Sequence, residues 1–252
     1  MQKIKSIQLF MLYIRSFFSQ VLWNFERMQN VGFLCLIAPF LDKIYIDKQK
    51  RIDAYKRHLE FFNTHPYFIS PLVSITVALE QELVEGKQGA SEGRISAIKT
   101  NMAGPLAAIG DSLFWASWRP LTAFVAVLLV LFNLHLYTWP FIIPIFFLVL
   151  YNLPHLTLRW NGIVQGYKRK TEVIELIEKI NFKKMVFLIR LVGIFTLSIA
   201  TIVFIFTYHN MMLIYSGYFI LAIVLLKRGL SSLIIFYATI VVSIIVSTIG
   251  LI

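Results

Sequence analysis

The stretch FFNTHPYF, residues 61–68, sets three adjacent hydrogen-bonding side chains among aromatic rings. Asn63 offers a carbonyl and an amide, which suits bidentate hydrogen bonding. Thr64 adds a hydroxyl, and His65 both donates and accepts in its neutral form. Phe61, Phe62, Tyr67 and Phe68 supply flat apolar faces beside them. The same three polar residues also suit a helix cap, because Pro66 favours the first position of a helix. Binding and capping are both open readings of these residues.

A second chemical patch is MAGPLAAIGDSLFWASWRPL, residues 102–121, where Asp111 and Arg119 sit in an otherwise apolar run with two glycines and two prolines. A carboxylate facing hydrocarbon costs about 2.5–3.5 kcal/mol on insertion scales, so Asp111 needs a partner or a polar cavity. On one straight helix Asp111 and Arg119 stand about 12 Å apart, too far to pair. Gly104, Pro105 and Gly110 therefore predict a broken or re-entrant helix. Asp111 and Ser112 then cap the following segment, and Arg119 with Pro120 starts the first full spanning helix. Glu80 follows the apolar run Pro71–Leu79 and is a further site candidate, while Glu82 and Glu85 read as surface. In NFERMQNVGF, residues 24–33, Glu26, Arg27, Gln29 and Asn30 read as subunit contact or as the edge of a site.

Metal and cofactor chemistry find no support in the pattern. The single Cys35 excludes an intramolecular disulfide and a CxxC site. His135, His155 and His209 lack metal-ligand spacing, and no HExxH, P-loop or GxSxG motif occurs.

The elements that must position these residues belong to a membrane protein. The chain is 58% hydrophobic, with a mean hydropathy of +0.73, more apolar surface than a soluble domain of 252 residues hides. The excess gathers in runs at 122–134, 141–153, 186–208 and 230–252, two of which reach the ~20 residues that cross a bilayer. The net charge of +11 is read as Lys and Arg in cytoplasmic loops facing anionic membrane lipids, not as a nucleic-acid surface. Ile4, Ile7, Phe10, Ile14, Phe17, Val21 and Phe25 recur at three- and four-residue steps, which predicts an N-terminal amphipathic helix in the membrane interface rather than a signal peptide.

The expected fold is an all-α integral membrane protein in three zones. Residues 1–60 form amphipathic interfacial and cytoplasmic helices, with the short run VGFLCLIAPFL as a re-entrant or interfacial hairpin. Residues 61–120 form a re-entrant, broken-helix region that carries the site. Residues 121–252 form transmembrane helices, interrupted by a basic cytoplasmic segment at 159–184 that includes a short amphipathic surface helix. LHLYTWP, residues 134–140, and the region around His209 lack Lys and Arg and read as outside. Lys227 and Arg228 read as inside, which puts the N-terminus in the cytoplasm and the C-terminus outside.

Four stretches, taken in order, carry a resemblance: NFERMQNVGF, RHLEFFNTHPY (residues 57–67), KTNMAGPLAAIGDSLFWASWRP (residues 99–120) and LRWNGIVQGYK (residues 158–168). Over residues 10–185 the chain resembles the IID membrane component of the mannose/fructose/sorbose family of the bacterial phosphoenolpyruvate-dependent phosphotransferase system. The resemblance implies a non-catalytic, multi-pass subunit of the cytoplasmic membrane. It implies pairing with a IIC subunit to translocate a hexose or amino sugar, which soluble IIA and IIB components phosphorylate without any phosphorylated residue in IID. It also implies a trimer of IIC–IID pairs working as an elevator-type permease. Asn63, Thr64, His65, Asp111, Ser112 and Glu80 would then meet sugar hydroxyls, with the rings around His65 against the apolar face of a hexose. Two departures from the family pattern are the near-contiguous helices around His209 and the missing second glycine in GYKRK. A membrane-embedded enzyme using Asp111, Glu80 and His65, or a membrane scaffold or receptor, are the competing readings.

Overall fold

The computed structural model describes residues 4–132, 141–207 and 212–248. Helical periodicity becomes helix nearly throughout. The α-helices are α1 (Ser6–Ser16), α2 (Asn30–Ile44), α3 (Lys48–His58), α4 (Ile69–Val84), α5 (Glu92–Gly110), α6 (Arg119–Leu131), α7 (Ile142–Arg169), α8 (Glu172–Lys179), α9 (Phe182–Thr207), α10 (Met212–Lys227) and α11 (Ser232–Thr248). A π-helical segment, Asp111–Trp118, joins α5 to α6. Among the described residues the β structure is limited to the isolated bridges Asn24–Met28 and Met28–Phe62. The expected outer loop with His135, Tyr137 and Trp139, and the surroundings of His209, lie outside the described residues.

Among the described residues, three helical stretches are long and apolar enough to cross a membrane: Glu92–Leu131, Ile142–Arg169 and Phe182–Thr207. The chain is therefore an all-α integral membrane protein. It divides into two compact units, Met1–Leu197 and Ser198–Ile252. In the second unit α10 and α11 flank a turn at Gly229, whose φ of 88° favours glycine, and most of their described apolar side chains are exposed.

Helix α4 is the axis of the first unit, with every residue from Ile69 to Gln81 buried. Small residues let α7 approach it. A Cβ on Gly162 would stand 2.7 Å from Pro71 Cδ, and one on Gly166 would stand 2.1 Å from Ser74 Oγ and 2.8 Å from the Pro71 carbonyl oxygen. Ser74 Oγ donates to the Gly162 carbonyl at 3.1 Å, so the contact carries a hydrogen bond as well as packing. This is a small-xxx-small crossing, Ser70/Ser74 against Gly162/Gly166. Gly166→Ala should destabilise the fold by about 1–3 kcal/mol, because the new methyl meets backbone that cannot step aside. Thermal melting of the purified protein checks this, and an unchanged midpoint would remove the close-packing account.

Four local expectations are corrected. The amphipathic N-terminal helix stops at Ser16 instead of reaching Phe25, although Ile7, Phe10, Ile14, Phe17, Val21 and Phe25 are all exposed, as an interfacial face requires. VGFLCLIAPFL is no hairpin, but part of the single helix α2, which carries Pro39 within it. Residues 159–169 do not form a segment separate from the preceding helix, since α7 continues to Arg169. Gly104, Pro105 and Gly110 do not break the chain either, because helical winding persists from Glu92 to Leu131. Proline and glycine are tolerated in such helices when neighbouring groups re-satisfy the backbone.

Candidate functional site

The segment between α3 and α4 is held open by side chains acting as backbone. Pro66 keeps His65 out of the helical region. The Gln29 amide pairs with Thr64 on both sides, Nε2 donating to the Thr64 carbonyl at 2.8 Å and Oε1 accepting from the Thr64 N–H at 3.2 Å. Thr64 Oγ1 donates to the Ala103 carbonyl at 3.0 Å, which fastens the segment to α5. Asn30 Nδ2 donates to the Leu59 carbonyl at 2.8 Å, and Asn24 Nδ2 donates to Asn30 Oδ1 at 2.8 Å. Gln29 and Asn30 thus lace residues 24–30 to residues 59–64 inside the chain, while Glu26 and Arg27 form an exposed ion pair at 3.1 Å.

His65 lies at the centre of this arrangement. Its Nδ1 accepts the Tyr67 N–H at 3.2 Å, so the neutral ring carries its hydrogen on Nε2. That Nε2 is buried with no hydrogen-bond partner. Burial, with the Arg159 charge second, pushes the imidazole down to about 4, so it is neutral at physiological pH. Phe114 stacks at 5.8 Å, Trp115 stands at 4.7 Å, and Tyr67 meets it edge-on at 4.9 Å. Behind Tyr67, His155 stacks at 4.1 Å, and the Arg159 guanidinium lies 5.2 Å over the Tyr67 ring. Arg159 Nη1 donates to the Ser16 carbonyl at 2.9 Å, so the C-terminal end of α1 receives this buried cation. Asn63 is exposed at the edge of the segment.

The end of α5 and the π segment pack against His65. Gly110 meets His65 so closely that a Cβ there would stand 2.2 Å from His65 Cγ. Asp111 has helical dihedrals (φ −60°, ψ −45°), so the expected N-cap at Asp111 and Ser112 does not form. A turn already inside a continuous helix leaves no free N–H groups to cap. Ser117 Oγ donates to the Ser112 carbonyl at 2.6 Å, and Arg190 Nε of α9 donates to Ser117 Oγ at 3.0 Å. The wide winding turns Leu113, Phe114 and Ser117 inward and leaves Asp111, Trp115 and Arg119 exposed. No ion pair joins Asp111 to Arg119 among the described residues. Single-turn π insertions recur at functional positions in helices. The structure thus brings Thr64, His65 and the segment that begins at Asp111 onto one wall.

Glu80 belongs to a different cluster. It is 0% exposed, and its two oxygens are filled by the chain's own donors. Arg57 Nε and Nη2 reach Oε1 at 3.1 and 3.0 Å, and Nη2 reaches Oε2 at 2.9 Å. His58 Nε2 lies 2.7 Å from Oε1, and the Tyr45 hydroxyl donates to Oε2 at 2.6 Å. Arg57 also pairs with Glu92 at 3.0 Å, and Lys99 Nζ donates to the Arg57 carbonyl at 3.2 Å. Burial raises the Glu80 carboxyl, but the bonds from His58 and Arg57 outweigh it and hold the group below the usual value of 4.5. Burial, aided by the Lys99 and Arg57 charges, holds His58 below the usual 6.5 even though Glu80 pulls the other way. A folded-state value below the unfolded one means stability that is full above the unfolded value and drains as pH falls. Lowering the pH from 7 to 5 should therefore destabilise the protein through His58, and His58→Gln should flatten that slope. Melting midpoints across this range test the prediction, and identical slopes in both proteins would contradict it.

Local sequence does not disclose Tyr45, Arg57 and His58 as the partners of Glu80, nor Tyr67, His155 and Arg159 as the backing of His65. One signal was present: a carboxylate in an apolar run demands a cation, and Arg57-His58 stands in the stretch that contains the Asn63 segment. Among the described residues no group of three or more His, Cys, Asp or Glu could hold a metal ion.

The family described as PTS system mannose/fructose/sorbose family IID component matches residues 3–213. The mannose-specific EIID component of Escherichia coli K12 is 34% identical over 165 residues, covering 65% of this chain and 56% of that protein. The fructose permease IID component of Bacillus subtilis 168 is 33% identical over 174 residues, covering 69% and 61%. The sorbose-specific EIID component of Klebsiella pneumoniae is 32% identical, with the same coverage. The chain thus matches 56–61% of the length of these relatives. Among solved structures, a chain of the mannose transporter ManYZ in complex with microcin E492 aligns with a TM-score of 0.61 at 25% identity, covering 99% of this chain and 98% of that one. A second membrane protein aligns with a TM-score of 0.69 at 23% identity, which speaks to the fold alone. With the family matched over most of its length and the helical architecture shared, this chain belongs to the mannose/fructose/sorbose family of PTS IID components.

Proposed function

We propose that the chain is the non-catalytic membrane subunit of a sugar permease that, with a IIC subunit, carries a hexose or amino sugar across the cytoplasmic membrane. IIB phosphorylates the sugar, IIA supplies IIB, and no residue of this chain carries phosphate. The observation that carries the site is His65 Nε2–H, a buried donor without a partner, set among Tyr67, Phe114 and Trp115. A buried donor gains by pairing, and a ligand hydroxyl is an acceptor that suits this one. Asn63, two residues before His65, and Asp111, next to the Gly110 that meets the His65 ring, are both exposed and extend the reading toward further hydroxyls, as do Thr64 and Ser112 beside them in the chain. Arg119, Glu26 and Arg27 remain exposed for the IIC subunit. Glu80 supports the site from behind by tying α2, α3 and α4 together.

The enzyme alternative needs Asp111, Glu80 and His65 in one cavity. Among the described residues no hydrogen bond or ring contact joins Glu80 to either of the others, which favours transport. In the proposed assembly, IIC–IID pairs form a trimer and move as an elevator, with the N-terminus in the cytoplasm and the C-terminus outside. The test is phosphoenolpyruvate-dependent uptake with a panel of hexoses and amino sugars, together with co-purification of a IIC-type partner. Asp111→Ala and Asp111→Asn should each lower uptake about tenfold or more, with assembly intact, if the charge serves the site; tenfold corresponds to about 1.4 kcal/mol. Unchanged uptake in His65→Ala and Asp111→Ala would favour a scaffold or receptor role.

A further inference from the structure

We propose that a groove between α5 and the turn from α8 to α9 is a binding site for an anionic glycerophospholipid. The groove has a volume of about 730 Å³, within the range of sites that hold extended organic ligands. Met102, Pro105, Leu106 and Ile109 of α5 form one apolar wall, with Ile177, Ile180 and Phe182 opposite. Lys179 and Lys183 stand on the rim with Asn101, and one carboxylate, Glu178, shares that rim. Both lysines are exposed, and no ion pair occupies either among the described residues. Asn181 Oδ1 accepts the backbone N–H of Lys184 at 2.9 Å, which caps the start of α9 beside this rim.

Position and charge together choose the occupant. Phe182 opens a 26-residue apolar helix long enough to span a membrane, so the groove stands where chain meets headgroup. An acyl chain fits the apolar walls and a phosphate fits the lysine rim, the combination by which basic pockets between membrane helices hold anionic lipids. A zwitterionic lipid would bring its own cation against the lysines. The occupied groove would also bear on the proposed sugar site. Leu106 is buried in the groove floor, Ala103 one turn away receives Thr64 Oγ1, and the Phe182 ring meets Phe68 at 6.1 Å. Lipid there would brace α5 from behind Thr64.

The test uses the full chain, with any membrane partner that co-purifies, in nanodiscs of phosphatidylcholine alone or mixed with phosphatidylglycerol. Native mass spectrometry after release counts the lipid retained. Phosphatidylglycerol should be retained in preference to phosphatidylcholine. Lys179→Gln and Lys183→Gln should each weaken retention about fivefold. Ile180→Ser, at an exposed groove position, should weaken retention of both lipids. Equal retention of the two lipids, or retention unmoved by the lysine changes, would overturn the proposal. So would cross-linking of Ile180→Cys to a partner polypeptide, which would assign the groove to a subunit contact. None of these readouts depends on sugar uptake, so the lipid site and the transport reading stand or fall separately.

Discussion

Glu80→Ala should cost about 3–5 kcal/mol of stability, the loss expected when one partner of a buried ion pair is removed and the other stays buried. Arg57 is 8% exposed and gives Glu80 three contacts, so alanine leaves a guanidinium with only the exposed Glu92 for a counter-charge. His58 and Tyr45 lose their acceptor in the same step. For a chain of this size, such a loss lowers the melting midpoint by about 6–20 °C. Glu80→Gln keeps one acceptor, for Tyr45 or for His58 but not for both, and loses the charge, so it should fall between alanine and the native protein. Replacing both Arg57 and Glu80 with Met should be milder than Glu80→Ala, because no charge is then stranded. Detergent-phase melting of the four proteins decides the matter. If Glu80→Ala melts with the native protein, the cluster does not hold α2, α3 and α4 together.

How far the sequence foretold this molecule depends on whether a feature is local. Long apolar runs declare spanning helices, because length and composition along one segment are enough. The charged and proline-bearing stretches at 61–68 and 102–121 stood out for the same reason, as exceptions within their own windows. Their winding did not show. Gly104, Pro105 and Gly110 read as breakers because local propensity disfavours them in helices. In the fold, α4 and the Asn63 segment pack on α5, and helical winding runs on through these residues into the π segment. The close approach of Gly162 and Gly166 to Ser70 and Ser74 was written in the spacing of small residues on two separate helices, and it could have been read there. The partners of Glu80 could not be read so directly. Tyr45 and Arg57 lie 35 and 23 residues away, and only the packing of α2 and α3 on α4 brings them to one carboxylate.

The link between the two chemical stretches can be tested at a single atom. Gly110→Ala places a Cβ 2.2 Å from His65 Cγ and 2.3 Å from His65 Cβ. These are atoms near the root of the ring, so a rotation of the imidazole does not relieve the clash and the segment itself must move. Overpacking of this kind costs about 1–3 kcal/mol. The displaced His65 would also take its Nε2–H away from the wall it shares with Phe114 and Trp115, so uptake should fall by more than stability alone accounts for. His65→Ala removes the ring and the donor, and should lower uptake while leaving room beside residue 110. The informative protein is the double variant. If Gly110 and His65 are in contact, the losses of stability are not additive, and Gly110→Ala with His65→Ala should recover about 0.5–3 kcal/mol relative to the sum of the single changes. Uptake should not recover with it, since the donor is still missing. Additive stabilities would mean that His65 and the Gly110 end of α5 do not touch as described. Recovery of uptake along with stability would mean that His65 fills space at this wall and gives nothing to the sugar.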